Sequence, residues 1–232
     1  MDIQAIVFKI AIMAPGFLLA VVIHEYAHGW MAKKFGDNTA EEAGRLTFNP
    51  VVHLDPINSI LVPIVLLAIG GIALGAARPV PINTRNFSDF KKGLFWVSFA
   101  GPLSNLILGT ILALIFAIIF NYVGSAYLFE GTFFQLKKGL LLEMFQYGVL
   151  INFILAGFNL IPVPPFDGSR MLESKLGYNA LLKYREMSQY LVYAFYGLII
   201  LSFMGVPILG MILSPFTMGA NVIINFFISI LG

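Results

Sequence analysis

The strongest candidate for chemistry in this sequence is a pair of histidines with a glutamate beside the first. The segment reads His24-Glu25-Tyr26-Ala27-His28. On a helix, positions i and i+4 lie one turn apart on one face, so the two imidazoles can bind one divalent metal ion. Glu25 can then accept a proton from water bound to that ion. The pattern predicts a catalytic metal site in a chain that has three histidines in all.

A third metal ligand is predicted at Asp167. A catalytic zinc site has three protein ligands and one open position. The chain has no cysteine, so the third ligand must be His, Asp or Glu. Asp167 follows a proline-rich run, residues 162–166, that ends a helix and forces extended backbone, and Gly168 permits a tight turn after it. Taken alone, the segment is more typical of a polar helix terminus followed by a turn, and the H-E-x-x-H motif without a third ligand is what favours the metal.

The composition indicates an integral membrane protein. Of the 232 residues, 59% are hydrophobic and 11% are charged, and the mean hydropathy is +0.87. A soluble domain carries about a quarter charged residues, and disordered chains have low hydrophobicity. The formal net charge of +2 is too small to indicate nucleic-acid binding. The length is typical of one domain.

Five apolar stretches approach or exceed the ~20 residues that a bilayer crossing needs. They are residues 3–23 with a continuation to about residue 32, then 57–77, 94–123, 140–161 and 190–231. Pro207 and Pro215 are expected to break the last stretch. We therefore expect an all-α polytopic membrane protein, a helical bundle of about five to six membrane segments.

The apolar surroundings strengthen the functional interpretation of the histidine motif. Ionisable side chains are costly within a bilayer and are typically functional there. The alternative is a chance match near a helix end, with polar side chains that reach the membrane interface.

Basic residues orient the chain. Eleven of the 14 Lys and Arg residues fall in the segments 33–45, 78–92 and 170–185. If these segments share one face, the positive-inside rule makes that face cytoplasmic. Residues 57–77 then begin and end on that face, so we expect this stretch to be re-entrant. Hydropathy alone favours a plain transmembrane helix for the same residues.

The motifs together resemble the site-2 protease family of intramembrane zinc metalloproteases. The H-E-x-x-H segment is followed by N-x-x-P-x-P-x-x-D-G at residues 159–168, and Gly101-Pro102-Leu103-Ser104-Asn105 resembles the G-P-x-x-N segment of that family. The resemblance covers about residues 15–172. H-E-x-x-H alone occurs in many soluble proteases, whereas the motifs in this order within a membrane protein are specific.

The resemblance implies a zinc-dependent intramembrane endopeptidase. One zinc ion (Zn2+) per chain would be bound by His24, His28 and Asp167. Glu25 would act as the general base that activates water. The enzyme would hydrolyse peptide bonds in or near transmembrane segments. Asn159 would hold the substrate carbonyl or its oxyanion, although a hydrogen bond at the helix terminus is an equal alternative for that residue.

The resemblance also implies the architecture. We expect a single intramembrane metalloprotease domain over residues 1–232, with a catalytic core at about 3–172 and C-terminal membrane segments at about 188–232. We expect a short form of this family, without a PDZ or CBS domain. A small β element is expected at the cytoplasmic face, where residues 44–48 or 78–84 would bind an extended substrate backbone by strand addition.

Three further residues have predicted structural roles. Gly101 is expected to permit close helix contact and Pro102 to mark helix entry. His53, the third histidine, could bind the metal transiently, but a role in a loop or turn is the favoured interpretation.

The expected partners are the lipid bilayer and a membrane-protein substrate that is single-span or already trimmed, with no nucleic acid. We expect a prokaryotic cell membrane, with the active site toward the cytoplasmic side. The alternative function is a membrane zinc-binding transporter or scaffold without protease activity. A transporter should carry polar residues on several helices, and Glu25 would be superfluous to pure metal binding.

Overall fold

The computed structural model describes residues 3–55, 78–125 and 132–231. Within each of these ranges the chain forms helices joined by short connections. The elements are α1 (Ile3–Lys34), α2 (Thr39–Glu42), α3 (Pro50–His53), a 3-10 turn (Thr84–Asn86), α4 (Phe90–Ser125), α5 (Thr132–Asn159), α6 (Asp167–Lys175), α7 (Tyr178–Phe203) and α8 (Ile208–Leu231).

Four of the described helices are long and apolar enough to cross a membrane. These spans are Val7–Lys34, Phe90–Tyr122, Gly139–Asn159 and Ile208–Leu231. The predicted helical membrane architecture is therefore confirmed at this level. Helix α7 is not among the four, because tyrosines and polar residues interrupt its apolar run.

The predicted total of five to six segments is not reached by the helices that the structure describes. The re-entrant stretch predicted at 57–77 lies outside the described residues. The residues that flank it are described, and they lie together, because the N–H of Arg78 donates to the carbonyl of His53 at 2.9 Å.

The predicted β element is wrong for the described segments, since residues 44–48 and 78–84 contain no strand. Pro79 and Pro81 have no N–H to donate to a ladder. The N–H of Val80 between them donates to a carboxylate of α1 instead. The segment thus lacks the row of free donors that an edge strand offers.

Helix α1 ends in a glycine-dependent turn. The N–H of Gly36 donates to Lys33 and that of Asp37 to Ala32, both at 3.0 Å. Gly36 has φ +98°, a left-handed conformation that glycine adopts without a steric penalty. This Schellman motif stops α1 and sets the direction in which Asp37 leaves it.

Two predictions about prolines are wrong. Pro102 lies in the interior of α4 and not at its entry, because the helix already begins at Phe90. Pro215 lies inside α8, and the break in the last apolar stretch falls at Pro207. Membrane helices tolerate internal proline when neighbouring groups satisfy the freed carbonyls.

Helices α1, α4 and α5 pack against one another and build the centre of the molecule. Helices α1 and α5 meet backbone to backbone, because a Cβ on Gly16 would lie 2.7 Å from Cα of Gly148. Small residues permit such contact between membrane helices. An apolar cluster then joins α4 and α5 to α8: Leu108, Leu112, Ala113, Phe116, Val149, Phe153, Ala220 and Ile224.

Candidate metal centre

The three predicted metal ligands converge on one point. The Nε2 atoms of His24 and His28 are 3.0 Å apart. Oδ2 of Asp167 lies 3.3 Å from the first and 3.2 Å from the second. A tetrahedral ion with ligand distances of about 2.0–2.1 Å separates neighbouring ligand atoms by roughly 3.3 Å. The triangle therefore fits one zinc-sized ion and leaves a fourth position for a reactant.

The chemistry of the acidic ligand supports a cation at this point. Oδ2 of Asp167 is buried and has no hydrogen-bond partner. A buried carboxylate oxygen without a partner is unfavourable, and two imidazole nitrogens face it. Among the described residues, His24, His28 and Asp167 form the one group of three or more side chains that could hold a metal ion.

Local sequence explains how the ligands reach one another. His24 and His28 lie one turn apart on the buried face of α1, with 6% and 7% of their surface exposed. Asp167 is the first residue of α6, directly after the proline-rich turn. A Cβ on Gly168 would lie 2.6 Å from the carbonyl oxygen of Ile161. Glycine at 168 therefore lets α6 begin against the end of α5, which brings the acid to the histidines.

Hydrogen bonds to Nδ1 orient both imidazoles. Nδ1 of His28 lies 2.7 Å from the carbonyl oxygen of Val97, and Nδ1 of His24 contacts Oδ1 of Asn105. Both partners accept hydrogen bonds, so each Nδ1 carries the proton and each Nε2 keeps its lone pair for a metal. Such outer contacts fix the tautomer and the ring orientation of metal-binding histidines.

Asn105 is itself held by a buried chain of amides. Its Nδ2 donates to the carbonyl of Ala20 at 3.0 Å and to Oδ1 of Asn152 at 2.9 Å. Nδ2 of Asn152 donates in turn to the carbonyl of Gly148 at 2.8 Å. Sequence reasoning missed Asn152 and gave Asn105 no role toward His24. The available signal was an amide side chain in the interior of each of two apolar stretches.

Gly101 lies against both imidazoles. A Cβ at this position would come within 2.6 Å of Cε1 of His28 and 2.7 Å of Cε1 of His24. The predicted close helix contact of Gly101 is confirmed, and the contact is made with the two predicted metal-binding side chains.

Glu25 is buried beside the ligands, with 8% of its surface exposed. Its Oε2 accepts a hydrogen bond from the N–H of Val80 at 2.8 Å. This donor belongs to a segment 55 residues further along the chain, and sequence reasoning did not find it. The role of Glu25 as general base stays a prediction.

Two other predicted residues make contacts away from the ligand atoms. Nδ2 of Asn159 donates to the carbonyl of Leu155 at 3.0 Å, within α5, which is the helix-terminal alternative for this residue. Its role toward substrate stays a prediction. His53 is fully buried, and its Nε2 lies 2.8 Å from the carbonyl oxygen of Thr47. This contact fits the loop role that the sequence favours for His53.

Comparison with known protein families shows the family to which this chain belongs. The family model described as Peptidase family M50 matches residues 12–202. The chain belongs to peptidase family M50. The resemblance to the site-2 protease family is thereby confirmed.

Several curated proteins resemble this M50 chain. "Putative zinc metalloprotease YwhC" of Bacillus subtilis (strain 168) is 38% identical over 156 residues, which cover 67% of this chain and 65% of that protein. "Putative zinc metalloprotease Rip2" of Mycolicibacterium smegmatis is 30% identical over 165 residues, 71% of this chain and 57% of that protein. The M50 chain spans less than two thirds of the length of either relative. No solved structure gives a significant match.

Proposed function

We propose that this M50 chain is a zinc-dependent intramembrane endopeptidase, which hydrolyses peptide bonds in or near transmembrane segments. The observation that carries the proposal is the triangle of His24, His28 and Asp167 within a helical membrane protein. The names of the relatives, which describe zinc metalloproteases, support zinc as the metal. Glu25 beside the triangle adds a group that metal binding alone does not need.

Each residue of the site has its own role in the proposed reaction. His24, His28 and Asp167 would hold zinc, which when bound supplies a Lewis acid that polarises a peptide carbonyl and lowers the pKa of water. Glu25 takes the proton of the attacking water and delivers it to the leaving amine nitrogen. Its Oε2 is held by the N–H of Val80, so Oε1 is the oxygen that carries the proton.

We propose that the active site lies toward the cytoplasmic side of a prokaryotic membrane. The basic-residue distribution supports the cytoplasmic side, and the similarity to bacterial proteins supports a prokaryotic membrane. The substrates are single-span or already trimmed membrane proteins, and Asn159 holds the substrate carbonyl or oxyanion. The re-entrant course of residues 57–77 belongs to the same proposal. The contact between the flanking residues His53 and Arg78 supports it.

Zinc content tests the metal site first. The purified chain should hold about one zinc, as expected for a site of three protein ligands, and Asp167→Ala should lose most of it. Asp89→Ala, which removes an exposed carboxylate, is the matched control and should retain zinc. Full zinc retention in Asp167→Ala would contradict the assignment of this ligand.

Cleavage tests the activity. The zinc-loaded chain in detergent is mixed with a panel of end-labelled single-span peptides, and fragments are identified by mass spectrometry. Glu25→Gln should keep zinc and lower cleavage by about 10²–10⁴-fold, the usual contribution of a general base. Unaltered cleavage in Glu25→Gln would remove the proposed base. Zinc uptake into liposomes by a chain that cleaves no peptide would favour the transporter alternative.

A further inference from the structure

We propose that Asp37 is a positioning residue for Glu25, and that it acts through the backbone of residues 78–87. The inference rests on the proposed function, in which Glu25 is the general base. Asp37 lies 12 residues after Glu25, and its own described hydrogen bonds go to Thr39, Asn83 and Asn86. Its influence on Glu25 is therefore indirect.

Asp37 is a fully buried carboxylate whose oxygens are both used. Oδ2 accepts from the N–H of Asn83 at 2.7 Å. Oδ1 accepts from Nδ2 of Asn86 at 2.8 Å and from the N–H of Thr39 at 3.2 Å, and the Thr39 hydroxyl donates to it as well. Hydrogen bonds to a charged acceptor are stronger than neutral ones. Asp37 thus fixes both ends of the 3-10 turn Thr84–Asn86 against the end of α1.

Three residues before Asn83, the same segment holds the general base. The N–H of Val80 donates to Oε2 of Glu25 at 2.8 Å. Pro79 and Pro81 flank Val80 and restrict the backbone on either side, since proline fixes its own φ and limits the residue before it. The direction of the Val80 N–H therefore depends on where the chain is anchored next, and that anchor is Asp37.

Packing shows that the segment follows α1. Val80 packs against Gly29 of α1, since a Cβ on Gly29 would lie 3.2 Å from Cγ1 of Val80. Further along, Phe87 is buried against Ala32, with Ile82 packed on the same cluster. The segment lies along the last turns of α1, which carry Glu25, and Asp37 follows directly after them.

Proton transfer by Glu25 depends on its position, which is why the anchor at Asp37 matters. A general base must lie within about 2.6–3.2 Å of the proton that it removes. A misplacement of about 1 Å can lower the rate by as much as about 10²-fold. Among the described contacts of the Glu25 side chain, the Val80 N–H is the one hydrogen-bond donor. That bond selects the conformation of Glu25 and leaves one oxygen free for water.

Two single variants and their combination test the coupling. Asp37→Asn keeps the size of the side chain but replaces one of the two accepting oxygens by an NH2 donor, so the side chain can no longer accept from both Asn83 and Asn86. Val80→Pro removes the N–H donor between two existing prolines. Each should lower kcat for a cleaved peptide of the panel by about 10–100-fold, with KM and zinc content little changed. The double variant should be no slower than the slower single variant, because both changes break one path.

Matched controls separate this effect from general damage. Asp89→Asn makes the same chemical change at an exposed acid beside the segment, and kcat should stay at the wild-type value. Val80→Ala keeps the N–H and should lower kcat less than Val80→Pro. If Asp37→Asn does not fold, Asn86→Ala removes one bond to the same carboxylate and should lower kcat more mildly.

Amide hydrogen exchange gives a readout that does not need activity. In Asp37→Asn the amides of Val80 and Asn83 should exchange faster than in the wild type, and Glu25→Ala should speed up exchange at Val80 alone. A wild-type chain that binds zinc and cleaves nothing would contradict the proposed function, while the exchange result would still decide the coupling. Wild-type exchange at Val80 in Asp37→Asn, or fully additive losses of kcat in the double variant, would overturn the inference.

Discussion

At the candidate metal centre each imidazole uses both of its nitrogens. One nitrogen of His24 and one of His28 face Asp167, while the others bind Asn105 and the Val97 carbonyl. The outer partners hold the rings in the geometry that a tetrahedral ion needs. Because Asn105 has no exposed surface, water cannot easily replace it if it is removed.

Asn105→Leu should weaken zinc binding. Leucine has the same branched shape but cannot accept the Nδ1 proton of His24, so the ring loses its fixed orientation. Loss of such an outer partner typically lowers metal affinity by about 10–100-fold, which competition with a chromophoric chelator would measure. Ser104→Ala, which removes a hydroxyl bonded to the Gly101 carbonyl, should change affinity much less. Equal affinity in wild type and Asn105→Leu would argue against a role for this amide.

At the scale of elements, the site depends on how closely α4 approaches α1. The interior of α4 presents Gly101 to the two imidazoles and Asn105 to His24, one turn further along. A helix can approach side chains so closely only where its own residue has no Cβ. The spacing of the G-P-x-x-N segment thus places the contact surface and the hydrogen-bond acceptor on one face of α4.

Gly101→Ala should disrupt the metal site through this contact. The added methyl group would collide with the ring of His28 and displace both imidazoles. We expect a clear loss of bound zinc in elemental analysis, with helix content by circular dichroism retained. Gly197→Ala places the same methyl group on α7, where nothing lies within 4 Å, and should keep zinc. Normal zinc in Gly101→Ala would show that the rings can move aside.

The junction between α1 and residues 78–87 should be sensitive to acid. Burial alone would raise the pKa of the Asp37 carboxyl, but hydrogen bonds from Thr39, Asn83 and Asn86 outweigh burial and lower that pKa below its ordinary value. A depressed pKa in the folded state contributes stability above the unfolded pKa of about 4, and this contribution is lost as pH falls through the folded value.

Thermal unfolding in micelles would measure this effect. The Tm of the wild type should exceed that of Asp37→Asn at pH 6, and the difference should shrink as pH falls below about 4. Asp89→Asn is the control for an exposed acid. A Tm difference that stays constant or grows toward low pH would contradict the direction of the pKa shift.

At the scale of the whole molecule, helices α4 and α5 lead the chain away from one face and back to it. The N–H of Ser88 donates to the Phe35 carbonyl at 2.8 Å, so α4 begins where α1 ends. Asp167, after α5, meets the histidines near the end of α1. Helices α4 and α5 therefore lead away from the site and back to it, which agrees with the predicted clustering of basic residues.

Labelling of single cysteines should map this face, since the natural chain has none. Cysteine at Glu42, Asp89 or Lys183 should react with an impermeant maleimide from the cytoplasmic side only, as the positive-inside rule predicts. Cysteine at Ser125, at the far end of α4, should react from the opposite side. Reaction of Ser125→Cys and Asp89→Cys from the same side would contradict the out-and-back course of α4 and α5.

Several parts of the site could be predicted because they depend on short-range spacing. The i, i+4 histidines need only a helix, and the apolar run from residue 3 to about 32 supplies it in α1. The proline-rich turn before Asp167 likewise follows from local backbone restriction. The predicted strand at 78–84 failed, since its donors are used by the distant carboxylates of Glu25 and Asp37.

The sequence by itself determined the helical membrane architecture and the three candidate metal ligands, because hydropathy, helical periodicity and the restrictions of proline act over a few neighbouring residues. Only the tertiary structure decided that Asn105 and Asn152 orient His24, and that Val80 holds Glu25. These partners lie 47 to 81 residues apart in sequence. Hydrogen bonds between such segments exist only once the helices have packed, so no local pattern could specify them.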